Sequence, residues 1–332
     1  MKKVVSYLSA AFTVIGGVVG AGFITGKEIS TFFPFPNISV TYITLILFFL
    51  FFYISLTFGA KSKTANVVSA ASSCCSVIIS ASMISALENV FQILCQTENV
   101  KILLIISLVI AIIVSSNGVN SIGKFNLAFM PLALGITIYF ALSKTSLNFA
   151  EPIKYGKIEM PVLYVGMNTF TSFKVLADIG DGKSPKFNAV TAIFSSFVLA
   201  VLIFVISLAI STCKLQSSVM PLISMLDENS VSRLVMLIIC LLGIFSTLIC
   251  SLYSSFSLFG DKRKTLKNLL LSLAILWISR FGFSNLVEKI YPIIGILGTI
   301  AVVSVVLAGR ALKSRRKHTL SRQEYKVLRC LP

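Results

Sequence analysis

Charged residues are scarce in this chain, and they are unevenly divided by sign. Only 12% of the 332 residues are charged, with 29 lysines and arginines against 12 aspartates and glutamates. A soluble domain carries about 25% charged residues. Since 56% of the residues are hydrophobic and no polar stretch is long enough for a separate soluble domain, the composition predicts one integral membrane domain.

Histidine and cysteine give no pattern for metal binding or catalysis. The one histidine is His318, near the carboxyl terminus, and the 7 cysteines show no CxxC or Cys/His spacing. An odd number of cysteines, most of them in apolar runs, also argues against a disulfide framework. The sequence lacks a Walker loop and a glycine-rich strand-to-helix turn as well, so we expect neither an enzyme nor a cofactor.

Much of the excess positive charge, +17 in total, lies in the loop Asp261–Lys267 and in the tail from Arg310 onward. Basic clusters beside membrane spans set orientation and contact anionic lipid, so nucleic acid is not the expected partner. More basic residues fall inside than outside when the amino terminus is placed in the cytoplasm. We therefore expect both termini to be cytoplasmic.

Long apolar runs predict ten membrane-spanning helices, since about 20 apolar residues cross a bilayer as a helix. The predicted spans are residues 4–33, 38–59, 67–95, 102–116, 122–143, 160–180, 188–212, 231–259, 266–281 and 284–309. Between spans seven and eight, the apolar segment 219–226 is too short to cross. A lid over a site and an interfacial loop both fit this segment.

The first span contains an unusual density of glycine. The segment Val14–Glu28 reads VIGGVVGAGFITGKE and holds five glycines. Each costs up to about 1 kcal/mol against alanine in a helix interior. In a membrane this composition is typical of a helix that breaks at the binding site of a transporter. The alternative is close helix packing through the GxxxG pairs Gly16/Gly20 and Gly22/Gly26.

If spans one to five and six to ten form an inverted five-plus-five repeat, span six is the partner of span one. Its segment Tyr164–Lys174 places a glycine and several polar side chains at membrane depth. Two interrupted helices present free amides and carbonyls to both ends of a zwitterion, which favours an amino acid as the small-molecule substrate. The candidate substrate contacts in these two spans are Gly17, Gly20, Ala21, Gly22, Gly166, Met167, Asn168 and Thr169.

The pattern GxVVGAGFxxGxEI at Gly16–Ile29 resembles the YkvI-type bacterial membrane proteins, a branch of the amino acid–polyamine–organocation superfamily with the LeuT-type fold. The resemblance implies an all-α transporter domain over residues 1–310, with repeats at about 1–143 and 160–310 and broken helices 1 and 6. It also implies a location in the bacterial cell membrane. Residues 311–332 are then a basic cytoplasmic tail.

The LeuT-type fold further implies a cation site between the first and eighth helices. Carried over to this sequence, the ligands are the carbonyls of Gly16, Val19 and Gly243 and the hydroxyls of Ser246 and Thr247. Hard oxygen ligands without a thiolate suit Na⁺ as the coupling ion.

Lysine 174 lies inside span six and leaves two interpretations open. In the first, the Lys174 ammonium takes the place of a bound sodium ion, which would make the protein a proton-coupled carrier or an exchanger. In the second, the side chain extends toward Asp178 or Asp181 at the cytoplasmic end of span six. We favour the second interpretation.

Two further acidic residues are candidates. Glu88 shares a helical face with Ser85 and Gln92 and either binds an amine or proton in the cavity or forms a salt bridge near the outer surface. Glu288 is a candidate for a gate ion pair with Lys27 or Arg280. Glu28 belongs to the motif that carries the resemblance, but the sequence gives it no role.

Together these features predict a Na⁺-coupled secondary transporter of an amino acid that works by alternating access. The alternatives are a proton-coupled carrier or exchanger, and a permease-like nutrient receptor of the spore-germination type that binds without accumulating solute.

Overall fold

The computed structural model describes residues 2–60, 63–143, 159–215, 218–228, 230–258 and 264–308, and its regular structure there is entirely helical. The predicted basic tail and nearly all of the predicted loop between spans five and six lie outside the described residues. The helices of the first half are α1 (Lys2–Val18), α2 (Ala21–Ile24), α3 (Lys27–Phe32), α4 (Ile38–Phe58), α5 (Lys63–Cys95), α6 (Lys101–Ser116) and α7 (Val119–Ser143).

Seven further helices follow in the second half of the described residues. They are α8 (Glu159–Thr171), α9 (Phe173–Gly180), α10 (Pro185–Cys213), α11 (Pro221–Ser224), α12 (Val231–Phe256), α13 (Lys264–Ile278) and α14 (Phe283–Ala308). Two of them begin at serine caps: Ser184 and Ser230 accept hydrogen bonds from the backbone N–H groups of Phe187 and Arg233.

Six of the described helices are long and apolar enough to cross a membrane, which makes the chain a multi-pass membrane protein: α4, α5, α7, α10, α12 and α14. The other four predicted spans correspond to shorter or interrupted helices. Span one is divided into α1, α2 and α3, span six into α8 and α9, and spans four and nine are α6 and α13.

The outer helices carry the apolar side chains that remain exposed. Ile102 of α6, Leu270 of α13 and Ile300 of α14 are 74%, 59% and 63% exposed. Large apolar side chains on this scale are expected where a surface contacts lipid instead of water. By contrast Val14, Ile15 and Val18 of α1 are at most 2% exposed. Span one is therefore enclosed by protein, among α7, α10 and α12.

Span one is interrupted because its backbone hydrogen bonds are redirected at the glycines. In a continuous helix the Gly20 N–H group would donate to the Gly16 carbonyl, but it donates to Val18 at 2.9 Å. A second turn follows at Gly26, whose φ of 82° lies in the left-handed region that glycine adopts without strain. The segment between these two points is the short helix α2.

Span six is interrupted more mildly, by the single residue Ser172 between α8 and α9. The helix is continuous through Gly166, so the interruption lies near the end of the predicted segment, six residues beyond its glycine. The molecule has a proximal face, where α1 begins, and a distal face, which carries Lys27, α11 and the start of α12.

Candidate functional site

The carbonyl oxygen of Gly16 is the centre of the first group of candidate residues. Because Gly20 does not donate to it, this carbonyl is free to accept the hydroxyl of Thr247 from α12 at 2.9 Å. The Ser246 hydroxyl also lies 2.9 Å from it. A carbonyl oxygen has two lone pairs, so it accommodates both hydroxyls. The interruption in span one thus places α1 directly against the Ser246–Thr247 pair.

The remaining predicted cation ligands, Val19 and Gly243, lie close to each other. The carbonyl oxygen of Val19 is 3.3 Å from the position a Cβ atom would take on Gly243. One residue that sequence reasoning missed joins the group around Gly16: the Asn126 side-chain oxygen of α7 is 2.7 Å from the Ser246 hydroxyl. The group offers uncharged oxygen atoms from three helices, all buried, which is the donor chemistry that a hard cation prefers.

The two interrupted spans face each other. A Cβ atom on Gly17 would lie 3.0 Å from the Ser172 hydroxyl, at the point where span six is interrupted. One turn further along, a Cβ on Gly20 would lie 2.8 Å from the Thr247 hydroxyl and 3.0 Å from the Met83 sulfur. Span one therefore needs glycine here because α5, α12 and Ser172 approach its backbone closely.

Some of the candidate substrate contacts in span six pack against other helices, and others present polar groups. Gly166 is held against α14, since a Cβ there would lie 2.5 Å from the Gly295 carbonyl oxygen. The Asn168 side chain donates to the Tyr164 carbonyl at 3.0 Å. Met167 is buried, and the Thr169 hydroxyl is buried without a hydrogen-bond partner among the described residues. Gly166 thus serves helix contact, while Thr169 keeps a free polar group.

Paired serines close the proximal side of this region. On facing turns of α5 and α12, Ser80 donates to Ser251 at 2.8 Å and Ser76 donates toward Ser254 at 3.1 Å. The Ser76 hydroxyl also lies 2.8 Å from the carbonyl of Thr171, beside the interruption of span six. Hydroxyl pairs of this kind hold membrane helices together and can be rebuilt with water when the helices separate.

The distal side is closed by an ion pair and by the segment between spans seven and eight. Lys27 pairs with Glu288 of α14 at 2.6 Å, with the lysine buried and the glutamate about half exposed (49%). The backbone N–H of Leu222 in α11 donates to the Thr25 carbonyl at 2.9 Å. The apolar segment therefore lies over the distal half of span one as a cover.

Glu88 does not join the centre of the site. It is half-buried on α5 and forms no ion pair within the described part of the chain. The neighbouring residues Asn89 and Gln92 line a cavity of about 510 Å³, together with Met220 and Arg233. This cavity opens on the distal face, and Glu88 is not among the residues that line it.

Lys174 pairs with Asp178, four residues along α9, at 2.7 Å. Both side chains are partly exposed, and Tyr253 of α12 donates to the other oxygen of Asp178 at 2.6 Å. The lysine ammonium is therefore engaged near the proximal end of span six. Of the two interpretations left open by the sequence, the geometry fits the one in which Lys174 extends toward Asp178.

Glu28 has buried contacts that sequence reasoning did not predict. Its side chain is buried at 3% exposure, and the Tyr164 hydroxyl donates to it at 3.1 Å across 136 residues of sequence. Its carboxyl group lies against Gly22, where a Cβ atom would overlap it. The available signal was an acidic residue inside an apolar span, which is a functional candidate by default.

The fold, though not the sequence, matches solved structures. No protein-family model matches the chain, and no curated protein sequence matches it either. A structure of Mhp1, a nucleobase-cation-symport-1 family transporter, in a closed conformation with bromovinylhydantoin bound, aligns with a TM-score of 0.61 and 15% identity, over 90% of this chain and 77% of that one.

An inward-facing structure of Mhp1 aligns over 91% of this chain and 73% of that one, with 16% identity and a TM-score of 0.48. At these identities the likeness is one of fold. The chain therefore has the overall fold of the closed Mhp1 structure, in agreement with the LeuT-type architecture expected from the resemblance.

Proposed function

We propose that the chain is a secondary transporter, and not an enzyme, that carries an amino acid by alternating access coupled to Na⁺. The observation that carries the proposal is the broken first span, whose freed Gly16 carbonyl meets the Ser246 and Thr247 hydroxyls while Gly17 faces the interruption of span six. The fold shared with a cation-symport family transporter supports it.

The solute is proposed to bind where the two interrupted spans meet. Gly17, Gly20, Ala21 and Gly22 supply closely approachable backbone, and the span six residues from Met167 to Thr169 supply polar groups opposite. Backbone amides at one break and carbonyls at the other suit the carboxylate and the ammonium of an amino acid. The unpartnered Thr169 hydroxyl supports a polar ligand, since a buried hydroxyl without a partner is costly.

The coupling ion is proposed to bind to the Gly16, Val19 and Gly243 carbonyls and the two α12 hydroxyls. Asn126 extends this set, because its side-chain oxygen orients Ser246. Five uncharged oxygen ligands favour a monovalent hard cation over a transition metal, which would recruit nitrogen or sulfur. The engagement of Lys174 by Asp178 argues against its ammonium taking the place of this ion.

Both closures around the proposed site suit alternating access. The serine pairs of α5 and α12 close the proximal side, and the Lys27–Glu288 pair with α11 closes the distal side. The proximal closure consists of hydroxyl contacts that can exchange for water, whereas the distal closure combines an ion pair with the apolar Leu222 packed over Gly26. We also propose a bacterial cell membrane location with cytoplasmic termini, on the strength of the basic residues on the proximal face and in the tail.

The first test is thermal stabilisation of the detergent-purified protein by a panel of amino acids, in Na⁺ and then in choline. A ligand that binds the folded state raises its stability by RT ln(1 + [L]/Kd). A shift with one amino acid that requires Na⁺ supports the proposal. The panel includes hydantoins and nucleobases, because bromovinylhydantoin is bound in the Mhp1 structure. A shift with these alone contradicts the amino acid assignment.

Uptake measurements separate the transporter from the nutrient receptor. Proteoliposomes loaded with Na⁺-free buffer are expected to accumulate the stabilising amino acid when Na⁺ is added outside. A receptor would bind the same compound with the same thermal shift and accumulate none. Solute counterflow that saturates with concentration adds a check that a passive pore would fail.

A further inference from the structure

Glu28 is buried more deeply than its charge allows without compensation. Its side chain is 3% exposed, in the distal half of span one, and it lies against the Gly22 backbone. The hydrogen bond from Tyr164 is the one polar side-chain contact that the described residues give it. A carboxylate at membrane depth is expensive unless a cation or several donors surround it.

No cation in the described part of the chain balances it. The adjacent Lys27 turns to Glu288 at 2.6 Å, and the other ion pairs, Lys174–Asp178 and Arg233–Glu228, lie elsewhere. The titratable groups that interact with Glu28 from the packed helices are Tyr164 of α8 and Tyr291 of α14. Both are neutral, and the Tyr291 hydroxyl pairs with Ser82 of α5.

We propose that Glu28 is a proton-binding site, protonated in this closed conformation and able to exchange its proton only when the distal side opens. Proton binding removes the uncompensated charge and keeps a hydrogen bond from Tyr164, whose hydroxyl can still donate to the carbonyl oxygen of the carboxylic acid. The use of this proton in coupling rests on the proposed transport function, whereas the protonation itself does not.

A proton fits this place better than a larger cation. The Gly22 backbone already touches the carboxyl group. The Tyr164 ring is fully buried between Phe32 and Phe33, and its centroid lies 5.2 Å from the centroid of each phenylalanine ring. An organic ammonium would need these groups to separate. A metal cation would need several oxygen ligands, and Tyr164 supplies only one besides the carboxyl group.

Access to the proton is controlled by the distal cover. Gly26 packs against Ile210 and Leu222, and the Leu222–Thr25 hydrogen bond and the Lys27–Glu288 pair lie on either side of the same turn. Water reaches Glu28 when these contacts separate. Opening of the distal side would thus be linked to release or uptake of one proton.

Infrared spectroscopy of the full chain reconstituted in vesicles of ether lipid, which has no ester carbonyl, tests the proposal, since a protonated carboxyl group has a C=O stretching band that a carboxylate lacks. At neutral pH the wild type is expected to show this band and Glu28→Gln to lack it. Glu98→Gln removes an exposed carboxyl group by the same substitution and is the matched control, expected to keep the band. A band that persists in Glu28→Gln, or is absent from the wild type, overturns the proposal.

Tyr164→Phe keeps the proposal testable if Glu28→Gln does not fold. Loss of the hydrogen bond from Tyr164 is expected to move the band to higher frequency, and an unmoved band contradicts the assignment to Glu28. Neither experiment contains an amino acid or depends on Na⁺. Failure here therefore leaves the proposed transport function standing, and failure of the ligand panel leaves the proton site standing.

Discussion

Thr247 donates its hydroxyl to the carbonyl oxygen of Gly16 at 2.9 Å, across 231 residues of sequence. The contact joins the end of α1 to the middle of α12, and it exists because the helical partner of that carbonyl, Gly20, has turned away. A helix interruption at one glycine thus creates an acceptor that a hydroxyl on another span satisfies. The same oxygen atoms are those that a bound cation would use.

Removal of the Thr247 hydroxyl is expected to abolish stabilisation by Na⁺. In the wild type, Na⁺ at one hundred times its Kd would add about 2.7 kcal/mol to the free energy of unfolding. Thr247→Ala loses one ligand and the hydroxyl that donates to the Gly16 carbonyl, so its melting temperature becomes equal in Na⁺ and choline. Thr247→Ser retains the hydroxyl and is the control. An undiminished Na⁺ effect in Thr247→Ala contradicts the site.

The resemblance to the LeuT-type fold pointed to this group, and two of its features are also visible in the residues themselves. Glycines are costly inside a helix, so a cluster of them marks an interruption, and adjacent hydroxyls at Ser246 and Thr247 follow Gly243 at the spacing of one helical turn. Asn126 could not be found in the same way. Nothing in its own segment distinguishes an asparagine that orients Ser246 from one that is merely buried.

Gly16→Ala is expected to destabilise the fold through overpacking. The added Cβ atom would overlap the Ser246 hydroxyl and lie 2.7 Å from the Asn126 side-chain nitrogen. Overpacking of this kind costs about 1–3 kcal/mol, which would lower the melting temperature measurably in detergent.

Gly135→Ala provides the matched control for this substitution. Gly135 lies inside α7 with nothing within 4 Å of an added Cβ atom, so the methyl group meets open space. Alanine is favoured over glycine in a helix by up to about 1 kcal/mol, so stability is expected to stay level or rise. Equal losses in the two variants would mean that the Gly16 contact is not tight.

Replacing Lys27 and replacing Glu288 are expected to lower the stability of the protein by different amounts. Glu288→Gln leaves the buried Lys27 charge without a partner, whereas Lys27→Met leaves Glu288 half exposed to water. Glu288→Gln should cause the larger loss of stability. This loss should be smaller than the cost of breaking a fully buried ion pair, about 3–5 kcal/mol, because solvent screens the glutamate. The double variant should be more stable than Glu288→Gln alone. A thermal double-mutant cycle measures this difference, and purely additive losses contradict the pair.

Span six is interrupted inside the predicted segment Tyr164–Lys174, but the sequence pattern did not identify the residue at which it breaks. Gly166 is the residue that looks like an interruption, yet it is helical and serves contact with Gly295 of α14. The interruption occurs at Ser172, which faces Gly17. Glycine has the same sequence signature whether it breaks a helix or lets another helix approach, and only the tertiary neighbours decide. The contact between Glu28 and Tyr164 could not be predicted from the sequence either, because it also depends on tertiary neighbours.

Lys174→Gln is expected to lower stability only slightly and to leave the effect of Na⁺ unchanged. The Lys174–Asp178 pair is partly exposed, and exposed pairs four residues apart in a helix contribute about 0.3–0.5 kcal/mol. Asp178→Asn is the variant to compare with it. Because Asp178 also accepts a hydrogen bond from the Tyr253 hydroxyl at 2.6 Å, this substitution should lower stability more than Lys174→Gln does. Melting temperatures in Na⁺ and choline check both expectations. If Lys174→Gln instead created a Na⁺ response that the wild type lacks, the lysine ammonium would be occupying the place of the ion, and coupling would have to be assigned to protons.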